Sequence, residues 1–141
     1  MRVLLDANIL ISYLLVPQNS AISRIMAAVS QRRFTLLMPQ AVIDELVATV
    51  TLKPRLTKRI KPEPLDELVT ALLTTAEFLP PLRAEIPIMS RDRKDDYLLA
   101  YAVVGQADYL ITGDVDLLVL GKIDDTLIMR PADFIVIVDN M

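Results

Sequence analysis

Two short apolar runs that each end in aspartate decide the fold of this chain: VLLD at residues 3–6 and YLITGD at residues 109–114. Continuous runs of Val, Ile and Leu are typical of strands buried on both faces of a parallel sheet. Similar runs at residues 34–38 and 127–129 predict two further strands. Because these strands alternate with helical patterns, we predict an α/β fold with a mostly parallel sheet covered by helices on both faces.

The helical patterns lie between these runs. Apolar spacing predicts helices at residues 8–15, 20–31, 39–50, 65–76, 95–105 and 115–120. A short strand is expected at residues 77–79, and residues 134–138 are compatible with either a helix or a strand. No internal repeat interrupts this order, so residues 1–141 are predicted to form a single domain.

The composition excludes several kinds of catalytic site. Among 141 residues there is no Cys, His or Trp, which excludes thiol chemistry, His acid–base catalysis and nearly every zinc site. Only seven residues are aromatic, which argues against a base-stacking platform. The 18 carboxylates that remain favour a hard cation such as Mg²⁺ or Mn²⁺.

The overall charge and hydropathy constrain the protein's binding partners and its location in the cell. A net charge of −3 argues against binding nucleic acid through the whole surface, but it leaves room for a local basic patch. The first residues have no signal-peptide pattern, and no apolar run approaches the ~20 residues that span a bilayer. We therefore expect a cytoplasmic protein without a membrane segment.

Several acids are placed to converge. Asp6 and Asp114 follow two predicted parallel strands and should emerge at one edge of the sheet, where sites form in such folds. Glu45 lies within a predicted helix, and Asp95 and Asp96 begin another. Carboxylates ~4 Å apart repel by about 4 kcal/mol at an effective dielectric constant near 20, so a cluster needs protons or cations. Without His, a divalent metal that activates water for phosphoryl chemistry is the simplest prediction.

Each acid also has a structural interpretation. Asp114 precedes a short helix and could be its N-cap, and Asp6 could begin a turn. Glu45 could be a solvated helix residue. Asp92, Asp95 and Asp96 could be first-turn acids that interact favourably with a helix dipole.

A basic segment lies at residues 53–61. It carries five bases in nine residues among prolines, namely Lys53, Arg55, Lys58, Arg59 and Lys61. This composition predicts a mobile or peripheral segment, which is either a solvated stretch or a phosphate-binding arm.

The order of the motifs resembles that of PIN-domain nucleases. The stretch LDANILIS at residues 5–12 resembles the opening of that family, and Glu45 within VIDEL matches its second acid. The stretch DRKDDYLLAYA at residues 92–102 resembles the third motif, which places the third acid on Asp95. The stretch ADYLITGDVDLL at residues 107–118 resembles the fourth and places its acid on Asp114. The resemblance extends from residue 3 to about residue 136.

This resemblance implies a fold, an activity and partners. The fold is a three-layer α/β/α PIN-like domain with a central, mostly parallel twisted sheet, and the activity is that of a Mg²⁺- or Mn²⁺-dependent ribonuclease. Members of this size resemble VapC toxins, which cut RNA, usually form homodimers and are inhibited by a small antitoxin. The resemblance also implies supporting roles for Asn8, Thr112 and Asp116.

We therefore predict an endoribonuclease in which Asp6, Asp95 and Asp114 hold the metal and Glu45 completes the acidic site. Lys53, Arg55, Lys58 and Arg59 are predicted to steer the RNA strand. Two features depart from the family pattern: the basic insert at residues 53–64, and the neighbouring acids that leave Asp96 as an alternative to Asp95.

Two other functions are compatible with part of this pattern. One is a catalytically weak PIN-like module that binds RNA or a protein without cutting. The other is a phosphoacceptor domain, either receiver-like or similar to haloacid-dehalogenase-like phosphatases. The phosphatase pattern needs a second Asp where Asn8 stands, and the receiver pattern needs paired early acids and a late strand-end Lys, neither of which is found.

Overall fold

The computed structural model describes residues 1–82 and 93–141, and of residues 93–95 the backbone alone. Six strands of this part form one sheet: β1 (Arg2–Leu5), β2 (Thr35–Pro39), β3 (Glu77–Leu79), β4 (Tyr109–Ile111), β5 (Lys122–Ile123) and β6 (Thr126–Met129). Their order is β3-β2-β1-β4-β6-β5, and every pairing is parallel except that of β5 with β6.

Eight helices of the described part flank this sheet. They are α1 (Ala7–Tyr13), α2 (Ala21–Ser30), α3 (Gln40–Leu52), α4 (Pro54–Thr57), α5 (Pro62–Thr75), α6 (Arg93–Val104), α7 (Val115–Leu118) and α8 (Pro131–Asp139). Val3, Leu4 and Leu5 of β1 are all fully buried. Because successive strand side chains point to opposite faces, both faces of the sheet are covered, as in a three-layer α/β/α fold.

Strand β1 lies at the topological switch point of the sheet. From β1 the chain adds β2 and β3 on one side, and it then places β4 and β6 on the other. Leu5 is level with Ile111, so the chain leaves β1 and β4 at the same height and at the same edge. Crevices at the carboxyl ends of strands beside such a switch point are the usual sites of open α/β sheets.

Most sequence-based elements are confirmed, with differences at the shortest elements and at two helix starts. Neither the edge strand β5 nor the four-residue helix α4 is predicted, because such short segments show no period. Helix α5 begins at Pro62, three residues before its predicted start. The stretch around residues 134–138 is helical in α8, which begins with Pro131 at its first turn. Pro39 ends β2 and occupies the N-cap of α3, one position before the one predicted.

The basic segment is anchored to the core. Within it, Leu56 and Ile60 are buried, and the Thr57 hydroxyl donates to the carbonyl oxygens of Val50 and Lys53, each at 3.0 Å. Of the two predicted alternatives, a mobile or a peripheral segment, the structure fits a peripheral one, because the two apolar residues between the bases pack inward. The bases themselves are exposed.

Part of one predicted loop, residues 82–93, lies outside the described residues, and so does Asp92. No helix in the described ranges has the length and apolar character needed to cross a membrane.

Candidate active site

Asp6 is held at the end of β1 by its own backbone and by its neighbours. Its N–H donates to the Ile111 carbonyl oxygen at 3.1 Å, which joins the ends of β1 and β4. Its side chain caps α1, because Oδ1 accepts from the Asn8 N–H at 3.1 Å. The residue is only 7% exposed, so this carboxylate is one of the few buried acids of the described part. Asp6 therefore has a structural role as the N-cap of α1, where the structural interpretation expected the start of a turn.

Thr112 connects the two strand-end aspartates. Its side chain is fully buried, and its hydroxyl donates to Asp6 Oδ2 at 2.8 Å. The same hydroxyl oxygen accepts from the Asp114 N–H at 3.0 Å. One hydroxyl thus fixes the Asp6 carboxylate and the backbone that carries Asp114.

Asp114 is also an N-cap, here of α7. Its Oδ1 accepts from the Asp116 N–H at 2.9 Å. The structural interpretation of Asp114 as a helix cap is therefore correct. An N-cap needs one carboxylate oxygen, so capping and participation in a site are compatible at this position.

The charge on Asp6 is unfavourable in its surroundings. Burial raises the pKa of the Asp6 carboxyl above its ordinary value of 3.8, and the negative charge of nearby Asp114 raises it as well. The hydrogen bonds from Asn8 and Thr112 oppose this shift in pKa without cancelling it. The fold therefore holds an acid where negative charge is costly, which is common at functional sites.

Three of the predicted acids line one cavity. The cavity has a volume of about 260 Å³, and its lining residues are Asp6, Asn8, Ala41, Val42, Glu45, Thr49, Lys53, Tyr97, Leu98, Tyr101 and Asp114. It opens at the carboxyl edge of β1 and β4. Asp6, Glu45 and Asp114, which are far apart in the sequence, therefore face a common space, together with Asn8 and Lys53.

One face of α3 supplies a wall of this cavity. Val42, Glu45, Thr49 and Lys53 follow one another at steps of three, four and four residues, which places them on one side of a helix. Lys53 ends that helix as its C-cap. This spacing is visible in the sequence and could have identified Thr49, which was missed, as a neighbour of Glu45.

Helix α6 supplies three more lining residues, Tyr97, Leu98 and Tyr101. Sequence reasoning did not single out these residues, because an aromatic residue in an apolar helix gives no sign of where it points. Asp96 is fully buried and is not among the described residues that line the cavity. The side chain of Asp95 lies outside the described part of the chain.

Other predicted residues do not line the cavity. Thr112 lies beneath it as the buried bridge, and Asp116 contributes its backbone N–H to Asp114. Arg55, Lys58 and Arg59 are exposed, but they are not among the described lining residues. Of the four bases predicted to steer RNA, the fold brings only Lys53 to the acids.

The donor atoms of the cavity suit a hard divalent cation. Carboxylate oxygens dominate, and the raised pKa of Asp6 means that a positive charge there would relieve a real electrostatic cost. Among the described side chains, no three acids are close enough to hold one ion between them. Mg²⁺ is usually held by one or two carboxylates with water completing its shell, so Asp6 and Asp114 would suffice to bind it, and the predicted third acid is Asp95.

Fold and site together define an α/β protein with acids gathered at the carboxyl edge of a parallel sheet. A model of the PIN domain family matches residues 2–116, so the chain belongs to the PIN domain family, which is a family of nucleases. Among solved structures, it is similar in fold to a chain of VapBC2 from Rickettsia felis, crystallised bound to a DNA fragment from their promoter. That likeness has a TM-score of 0.59 at 16% identity and covers 92% of this chain and 98% of the other. A search of curated proteins finds no match.

Proposed function

We propose that this protein is a divalent-metal-dependent endoribonuclease that hydrolyses phosphodiester bonds of RNA. One observation carries the proposal. Asp6 is a buried carboxyl with a raised pKa, and it faces the same cavity as Asp114 and Glu45. Ionised acids in such a place are unfavourable for stability unless a proton or a cation offsets their charge, and a divalent cation also leaves them able to act on a phosphate.

In this proposal Asp6, Asp95 and Asp114 hold Mg²⁺ or Mn²⁺. When bound, the ion lowers the pKa of water and neutralises charge on the phosphate. Glu45 extends from α3 into the cavity, where it accepts a hydrogen bond from the attacking water and orients it. Asn8, Thr112 and Asp116 are positioning residues, because their N–H and O–H groups fix the two strand-end carboxylates.

Helix geometry favours Asp95 over Asp96 as the third acid. Position 95 precedes Leu98, a lining residue, by three positions, and residues three apart share a face of a helix. Position 96 shares a face with Leu99, which is fully buried in the core.

We further propose that the protein is the toxin of a toxin–antitoxin pair, with a small antitoxin as partner. The family match and the fold likeness to VapBC2 support this proposal. A single domain over residues 1–141, a homodimer and a cytoplasmic location belong to the same proposal. Induced expression should arrest bacterial growth, and co-expression of the short reading frame beside its gene should restore it. Growth unaffected by the active protein would contradict the toxin role.

The basic side chains at Lys53, Arg55, Lys58 and Arg59 are proposed to attract the RNA strand. Replacing Lys53, Arg55 and Lys58 by Ala should weaken RNA binding and reduce the slope of log K against log salt by about 2, at ~0.7 for each phosphate that is no longer neutralised. Replacing Arg24, Arg32 and Lys122, which are exposed bases that neither line the cavity nor follow the carboxyl end of a parallel strand, removes equal charge as a control. An equal effect of both triples would show that only net charge matters.

The decisive experiment measures cleavage of a synthetic RNA with Mg²⁺, with Mn²⁺ and with EDTA. Wild type should cleave only with metal, and Asp6→Asn and Glu45→Gln should lose activity at least a hundredfold. Asp133→Asn, an exposed acid of α8 outside the cavity, is the matched control and should remain active. If wild type binds RNA but does not cut it with either metal, the protein is the binding module considered above.

A further inference from the structure

The aromatic side chains of this protein are distributed unevenly between core and surface. Phe34 and Tyr109 each contact the Phe134 ring in the core, at centroid distances of 5.5 and 5.4 Å. Tyr101 is buried in the wall of the acidic cavity. Two aromatic residues are largely exposed: Tyr97 has 54% of its surface accessible to solvent, and Phe78 has 46%. Of these two rings only that of Tyr97 lines the cavity.

Tyr97 therefore presents an open ring beside acids that are proposed to act on a phosphate. It lies one helical turn before Tyr101 on α6, so a packed helix fixes its position. The same cavity carries Lys53, a cation able to contact a phosphate oxygen. An aromatic face and a cation next to a phosphate-cleaving site are the two components that single-stranded nucleic acid requires.

We propose that the Tyr97 ring stacks on a nucleobase next to the phosphate that is held between the carboxylates and Lys53. This inference rests on the proposed function, and it adds one residue of this chain that binds the substrate. A base inside a helix has both faces covered by its neighbours, so a side chain can stack only on an unpaired or splayed base.

The size of the cavity supports this position of the base. Its volume of about 260 Å³ lies below the ~300–1,000 Å³ typical of sites that enclose a drug-sized ligand. A space of this size admits one phosphate with its sugar, and it leaves the base at the mouth, where the exposed ring lies. The scarcity of aromatic residues argues against a multi-base platform, and a single stacking position is consistent with that scarcity.

The test compares Tyr97→Leu with Tyr97→Phe, since phenylalanine keeps the ring and leucine keeps only apolar bulk. On a single-stranded oligoribonucleotide, Tyr97→Leu should raise KM about tenfold and leave kcat within about twofold. Tyr97→Phe should behave like wild type. Phe78→Leu, which removes a similarly exposed ring outside the cavity, is the matched control and should have no effect.

A second measurement separates this inference from the proposed function. An oligoribonucleotide carrying 2-aminopurine is mixed with Asp6→Asn, which retains the ring, and with Asp6→Asn/Tyr97→Leu. Fluorescence quenching that depends on the Tyr97 ring supports stacking even if the wild type cuts no RNA. Suppose that cleavage depends on metal but that Tyr97→Leu changes neither KM nor the fluorescence quenching. The stacking inference would then be wrong, while the proposed nuclease activity would stand. If Tyr97→Leu instead weakens only binding of a protein partner, the ring belongs to a protein interface and the inference is wrong.

Discussion

Replacing Thr112 with Val tests whether one buried hydroxyl holds the two strand-end aspartates. Valine has nearly the same shape, so the change removes two hydrogen bonds and creates little empty space. The first is the 2.8 Å bond to the buried Asp6 carboxylate, and the second is the 3.0 Å bond from the Asp114 N–H.

The expected loss follows from the kind of bond. A hydrogen bond to a charged group contributes roughly 1.5–3 kcal/mol, and a neutral one about 1 kcal/mol. Thr112→Val should therefore lower the free energy of unfolding at pH 7 by about 2–4 kcal/mol. At roughly 3 °C per kcal/mol for a chain of this size, the Tm should fall by about 6–12 °C.

Thr126→Val is the matched control for this change. Thr126 is also buried, and its hydroxyl donates to a single neutral acceptor, the Ala107 carbonyl oxygen, at 2.6 Å. This variant should lose about 1 kcal/mol, with no dependence on pH. Thr112→Ser, which keeps the hydroxyl, should retain most of the wild-type stability at the site.

The pH dependence distinguishes the two positions. The Thr112 hydrogen bond lowers the pKa of Asp6, so its removal raises that pKa further. Below the folded-state pKa of Asp6 the carboxyl is protonated and the lost bond is a neutral one. The penalty of Thr112→Val should therefore shrink as the pH falls. Urea unfolding with EDTA measures this penalty. Equal, pH-independent losses at both threonines would refute the assignment of Thr112 to a charged Asp6.

Three further predictions concern the site and its supporting helix. Asp114→Asn should raise the apoprotein Tm by about 1–3 °C, because asparagine still caps α7 while repulsion of Asp6 is relieved; a lower Tm would make Asp114 a structural partner. The raised pKa of Asp6 means that its stabilising contribution is fully present below 3.8 and is lost as the pH rises through the folded-state pKa. Wild type should therefore gain stability relative to Asp6→Asn on acidification. A difference in unfolding free energy between the two proteins that stays constant with pH would contradict the raised pKa. Gly105→Ala should cost about 1–3 kcal/mol in thermal unfolding, because an added Cβ would lie 2.9 Å from the Tyr101 carbonyl oxygen and 3.1 Å from Leu37 Cδ1; an unchanged Tm would show that these neighbours can move.

The strands and the edge at which the acids meet were predictable from local sequence. Continuous apolar runs identified β1, β2, β4 and β6, because burial on both faces leaves no room for polar alternation. The aspartates that end β1 and β4 then had to lie at one edge, since parallel strands share a direction. Local sequence predicted less where tertiary contacts decide the structure. At residues 53–61, for example, Leu56 and Ile60 pack into the core.

The sequence by itself determined which chemistry is possible. A chain without His or Cys and with aspartates at strand ends favours an oxygen-ligand site for a hard cation, because the ligand atoms are fixed by the side chains present. Tertiary structure alone decided that Glu45, Lys53 and Tyr97 share one cavity with Asp6, and that Thr112 joins Asp6 to Asp114. Such contacts depend on how α3 and α6 pack over the sheet, and helix packing is set by many side chains at once, so no single motif encodes it.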